Sequence, residues 1–172
     1  MATTDAAHWF EHEAREYSGG NERPLGGYVK VMAVYGASVL GLGALAAATK
    51  RPLPERPDAR DLGLIALATA KTSRLLTRDA VTSPVRAPFT RFEGPAGPSE
   101  VNEEVRGHGA QHAVGELLSC PFCVAQWIGT GFAFGMLFFP RVTRQVAGTF
   151  AALEVADLVQ FGRAVAEHRA EG

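Results

Sequence analysis

The sequence predicts an all-α fold, a polytopic membrane helical bundle with three or four transmembrane helices and a basic amphipathic interfacial helix. Three observations carry this. Residues Val31 to Ala48 are eighteen positions without a charge, Cys123 to Phe139 form a second uncharged block, and between them Arg60 to Arg78 places basic residues at helical spacing. A chain of 172 residues suits one folding unit. Lys+Arg 17 against Asp+Glu 18 gives no basic excess, so no nucleic-acid partner is expected. The mean hydropathy of +0.01 lies between soluble and membrane averages, so only the distribution of apolar residues is informative.

Taken in order, residues 1–25 read as a polar N-terminal tail, in which Ser18-Gly19-Gly20-Asn21 and Pro24 break any helix. No basic segment precedes an early apolar core, so a cleavable secretion signal is not expected. Residues 26–162 form the membrane domain. Its first span, 28–48, is apolar on every face and rich in Gly and Ala, which suits close helix packing in lipid. The alternative for this segment is the buried central helix of a soluble bundle. Lys50, Arg51 and Pro52, Pro54 and Pro57 stop it. Residues 60–78 give an amphipathic helix, with Leu64, Ile65, Ala68, Leu75 and Leu76 on one side and Lys71, Arg74 and Arg78 as a basic stripe. It either lies in the membrane interface or crosses with its charges paired.

Pro84 and Pro88 interrupt the chain next, Gly94-Pro-Ala-Gly-Pro98 reads as a polar loop, and Glu103 to Ser119 as a short helix. The second span, 123–139, carries Trp127 near one end and Gly131-x-x-x-Gly135, suited to an interface and to helix contact respectively. A turn at Arg141 and Arg144 leads to a third span, 145–161, apolar except for Glu154 and Asp157, and residues 163–172 form a polar C-terminal tail. Basic residues accumulate on the cytoplasmic side. With three spans the count is 12 against 4, with four it is 8 against 6, and both place the 78–120 loop in the cytoplasm; three spans are slightly favoured.

Three constellations could carry chemistry. Cys120 and Cys123, in Cys-Pro-Phe-Cys, stand at the start of an apolar helix, where the macrodipole and open backbone N–H groups favour a thiolate. The βαβ context of a thioredoxin fold is missing, and two packing cysteines at a helix start are the plain alternative. His108 and His112 precede them, so that H-x₃-H-x₇-C-x₂-C supplies four ligands for tetrahedral zinc, the one cofactor the spacing suggests. Gly107 and Gly109 weaken the helix that would align the histidines. Glu154 and Asp157 share one helix face, and Lys71 and Arg74 repeat their three-residue spacing with opposite sign. A carboxylate at membrane depth costs roughly 2.5–3.5 kcal/mol, so the two sets are expected to pair or to lie at the surface.

The run Ala68 to Phe89, containing Lys71, Arg74, Asp79 and Arg86, and the run Gly115 to Cys123 with Trp127 resemble a bacterial membrane-protein family known as domain of unknown function 1360. The likeness covers about residues 60 to 160. It implies a small multi-pass protein of the bacterial cytoplasmic membrane, from Gram-positive organisms including actinobacteria, with no established activity; Lys71, Arg74, Asp79, Arg86, Cys120 and Cys123 match the family pattern. The expectation is therefore a structural or interaction component without catalytic activity of its own. Its partner is the lipid bilayer, with a membrane-protein partner or a second copy of the chain. Lys71, Arg74, Arg78 and Arg86 would contact anionic headgroups or the Glu154/Asp157 pair. The runner-up is a membrane-tethered dithiol or zinc protein, and the third reading is ion or proton translocation along Glu154 and Asp157.

Overall fold

The computed structural model describes residues 2–19, 23–51, 53, 56 and 58–171, of which residues 2–7 and 171 only in their backbone. Most of the chain is helical, but the all-α expectation needs one correction, because residues 90–105 form a β-hairpin. Among the described residues the order is α1 (Ala2–Ser18), α2 (Leu25–Ala48), α3 (Ala59–Arg78), a 3-10 turn (Ala80–Thr82), α4 (Ser83–Arg86), β1 (Thr90–Gly97), β2 (Glu100–Val105), α5 (Ala110–Ser119), α6 (Pro121–Phe138) and α7 (Pro140–Glu171). The polar N-terminal segment is thus a helix as far as Ser18. Gly20, Asn21 and the three prolines 52, 54 and 57 lie outside the described residues.

Four long helices make the body. Tyr35 Oη shares a 2.8 Å hydrogen bond with Thr130 Oγ1 and its ring meets Trp127 edge-on at 5.1 Å, so α2 runs parallel to α6. At their far end Arg51 donates to the Leu137 and Phe138 carbonyls at 2.9 and 2.8 Å, placing a cation where the α6 dipole is negative. Helix α3 starts at Asp58, whose side chain accepts from the Arg60 N–H at 2.9 Å, and packs against both α6 and α7. Arg144 grips Asp61 through two bonds of 2.9 and 2.7 Å, and Lys71 Nζ meets Asp157 at 2.6 Å, so α3 and α7 are parallel to each other. The chain therefore passes up α2, down α3, up α6 and down α7. The expected turn at Arg141 and Arg144 is confined to Phe139, and both arginines belong to α7, which is one helix of 32 residues.

The packing is inverted relative to a water-soluble bundle. Among the described residues the buried apolar ones are Ala46, Ala68, Ala113, Val124, Ala147 and Ala151, and the largest fully buried side chain is Arg86. Large apolar groups point outward: Leu40 of α2 is 75% exposed and Phe161 of α7 72%. Helices α2 and α6 are long and apolar enough to cross a membrane by length and composition, and only 6% of each apolar stretch is buried within the chain. Within this chain α2 is thus not a buried core helix. Within Gly131-x-x-x-Gly135, Gly135 makes a close approach, since a Cβ there would stand 2.8 Å from Thr143 Oγ1 of α7, whereas Gly131 has open space.

Residues 79–120 fold as a headpiece on the end where α3 finishes and α6 begins. The hairpin pairs Thr90 with Val105 and Gly97 with Glu100, and irregularities between Phe92 and Gly94 and between Pro95 and Gly97 absorb the Gly and Pro residues that read as a loop. The helix expected over 103–119 starts only at Ala110. Gly107 and Gly109 take positive φ of 83° and 57°, and Glu103 to Val105 go to the strand.

Candidate functional site: a buried arginine knot and a thiol cavity

Two polar constellations organise the headpiece. The first centres on Arg86, which is completely buried. Its Nε and Nη2 donate to the two oxygens of Glu103 at 2.7 and 3.0 Å, and its Nη1 to the Leu76 carbonyl and Thr82 Oγ1, both at 2.7 Å. Nη2 also reaches the Asp79 carbonyl at 3.1 Å. Glu103 accepts further bonds from Ser83 Oγ at 3.1 Å and Thr90 Oγ1 at 2.9 Å. Burial pushes the Glu103 carboxyl up, but the bonds from Arg86, Thr90 and Ser83 and the guanidinium charge outweigh it and hold the group below its ordinary value. The knot joins the open C-terminal carbonyls of α3 to α4, β1 and β2. Arg86 thus contacts neither a headgroup nor the Glu154/Asp157 pair, a correction that follows from its partner being on the hairpin. Glu103 gave no sequence signal, since it sits in the acidic run Glu100-Val-Asn-Glu-Glu104, which reads as solvated.

The second constellation surrounds the cysteines. Cys120 caps the N-terminus of α6, with Sγ accepting from the Cys123 N–H at 3.3 Å; both thiols are free, Cys120 half-buried and Cys123 exposed. They line a cavity of about 550 Å³ with Val31, Met32, Val105, Leu117, Tyr28 and Glu116. Glu116 is its polar hub. Tyr28 Oη donates a short hydrogen bond to it, Arg23 approaches at 3.4 Å, and His112 Nε2 at 3.6 Å. The other ring nitrogen of His112 lies 3.2 Å from the Gly107 carbonyl. None of Arg23, Tyr28 and Glu116 stood out in the sequence, because the three come from segments 88 and 93 positions apart.

Among the described residues no three His, Cys, Asp or Glu side chains gather in a geometry able to hold a metal ion. The expected set of His108, His112, Cys120 and Cys123 is therefore not assembled: His108 precedes α5, between the left-handed Gly107 and Gly109, and with His112 lines a separate cavity beside Arg15. The α3 charges divide. Lys71 takes Asp157, whereas Arg74 forms an ion pair with Glu100 of the hairpin rather than joining Lys71 against α7. Asp79 caps the end of α3 and its backbone bridges to Glu100. Glu154 sits half-buried on α7, one turn before Asp157.

Compared with known proteins, the chain matches one family model, a protein of unknown function (DUF1360), over residues 64–162. No curated protein and no solved structure matches it.

Proposed function

The chain belongs to the DUF1360 family of proteins of unknown function, and since that membership carries no activity, we propose that it is an integral membrane scaffold. Four helices, α2, α3, α6 and α7, cross the bilayer, and the headpiece at 79–120 is displayed at one face as an interaction surface for a membrane partner or a second copy. The observation that carries this reading is the inverted packing. Small residues such as Ala46, Ala68, Ala147 and Ala151 are buried between the long helices, while the large apolar side chains of α2 and α7 face outward, where water would leave them unfavourably exposed. Four spans rather than three are supported by α3, which follows α7 from Asp61 to Lys71 instead of crossing the bundle end. Paired charges are the form in which ionisable groups persist between membrane helices.

The test uses single-cysteine reporters in a Cys120→Ser/Cys123→Ser background, with a separate sample of the membranes washed at alkaline pH. The chain is expected to stay with the membrane. Thr49→Cys and Glu104→Cys should label from opposite faces of sealed vesicles. Release by the alkaline wash overturns membrane integration, and labelling of both positions from one face returns α3 to the surface and overturns the four-span arrangement.

A further inference from the structure

We propose that Cys120 and Cys123 form a working dithiol that exchanges with low-molecular-weight disulfides entering the 550 Å³ cavity. This goes beyond the scaffold reading and does not rest on it, because the site is built within one chain. Free cysteine is among the most buried residue types, and packing cysteines are chemically inert. Here Cys123 is exposed, and both thiols open onto one cavity of the size that takes small molecules. The walls are helices α2, α5 and α6 together with Arg23 and Val105 of β2, so the space admits a small disulfide rather than a folded domain.

The geometry also divides the roles. Cys120 Sγ sits at the N-cap of the 18-residue α6, receiving the Cys123 N–H at 3.3 Å and lining the cavity, so it is the sulfur placed to attack first. It attacks one sulfur of R–S–S–R, breaking that bond, forming Cys120–S–S–R and releasing RS⁻. Cys123, one turn further on, then attacks Cys120 Sγ, gives up its proton as the new S–S bond forms and releases the second RS⁻. Two protein thiols are oxidised to one disulfide, the incoming disulfide is reduced to two thiols, and the two protons given up by the cysteines finish on the two products.

The whole chain in detergent is treated with oxidised glutathione, and intact mass and free thiols are followed. The wild type should lose both thiols together and two hydrogens in mass while retaining no glutathione. Cys123→Ser should trap one glutathione at Cys120, whereas Cys120→Ser should react roughly tenfold more slowly or worse, having lost the attacking sulfur at the N-cap. Serine preserves the N-cap acceptor, so both variants are expected to keep the wild-type thermal midpoint. Glutathione retained on both cysteines without ring closure, thiols inert to oxidised glutathione, or equal rates in the two variants would each overturn the proposal.

Discussion

A guanidinium with no exposed surface is tolerable only when every nitrogen is engaged, and Arg86 meets that condition through Glu103, Thr82 and two carbonyls left open by the end of α3. Removing one partner leaves an uncompensated buried charge. Glu103→Gln is therefore expected to destabilise the headpiece by about 3–5 kcal/mol, whereas the paired change Arg86→Met/Glu103→Leu should cost clearly less than either single change, as read from thermal midpoints in detergent. The carboxyl of Glu103 lies below its ordinary value in the folded chain. Its contribution is complete above the unfolded carboxylate range and is lost as pH falls through the folded value, so the midpoint should decline on acidification, and less steeply in Glu103→Gln. At the thiol cavity Glu116 is held by Tyr28 and approached by Arg23. Replacing Glu116 by Gln removes a negative charge from the cavity and should speed the reaction of the cysteines with the anionic oxidised glutathione; an unchanged rate would show that the carboxylate does not act on the incoming disulfide.

At the scale of the elements, the two ion pairs between α3 and α7 encode direction. Helix α3 presents Asp61 and then Lys71, and α7 presents Arg144 and then Asp157, so parallel docking joins opposite charges and antiparallel docking would join like charges. Reversing Asp61 to Arg should lower the thermal midpoint, and adding Arg144→Asp should recover most of the loss; a double-mutant cycle without coupling would show the pair to be incidental. Helix α3 was legible in the sequence because its apolar and basic residues repeat at helical spacing; the Asp58 cap that starts it is a finding of the structure. The hairpin was not, since Gly94, Pro95, Gly97 and Pro98 are loop signals taken singly and a two-stranded hairpin is marginal without outside support. That support comes from Glu103 meeting Arg86 across 17 positions, a contact no local pattern displays. Close backbone approach is equally invisible. A Cβ at Gly115 would stand 2.6 Å from Val105 Cγ1 and 2.9 Å from the Phe89 carbonyl, so Gly115→Ala should force α5 off the hairpin and cost about 1–3 kcal/mol, while Gly63→Ala, in open space, should not.

For the molecule as a whole, helix length sets what stands outside the apolar layer. At 1.5 Å per residue the 32 residues of α7 extend about 48 Å, well beyond the roughly 30 Å of a hydrocarbon core. Its start is fixed at the Phe139 turn and its last contact of known partner is Asp157 with Lys71, so the excess lies at the distal end, on the same side as the headpiece. Residues 155–170 are exposed throughout, and Arg163, Glu167, His168 and Arg169 make the final turns polar. The sequence divided this helix into a span and a tail because its composition changes near residue 162, although nothing in the backbone ends there. A chain stopped after Gly162 should therefore insert normally and keep its thermal midpoint to within about 0.5 kcal/mol in stability, as expected for surface that packs against nothing. A chain stopped after Ala152 loses the partner of Lys71 and leaves an ammonium between helices, so it should unfold at distinctly lower temperature. Lys71→Met should restore part of that loss, because it removes the orphaned charge along with the need for its partner; failure of that rescue would mean that the distal half of α7 stabilises the bundle by packing rather than by neutralising α3.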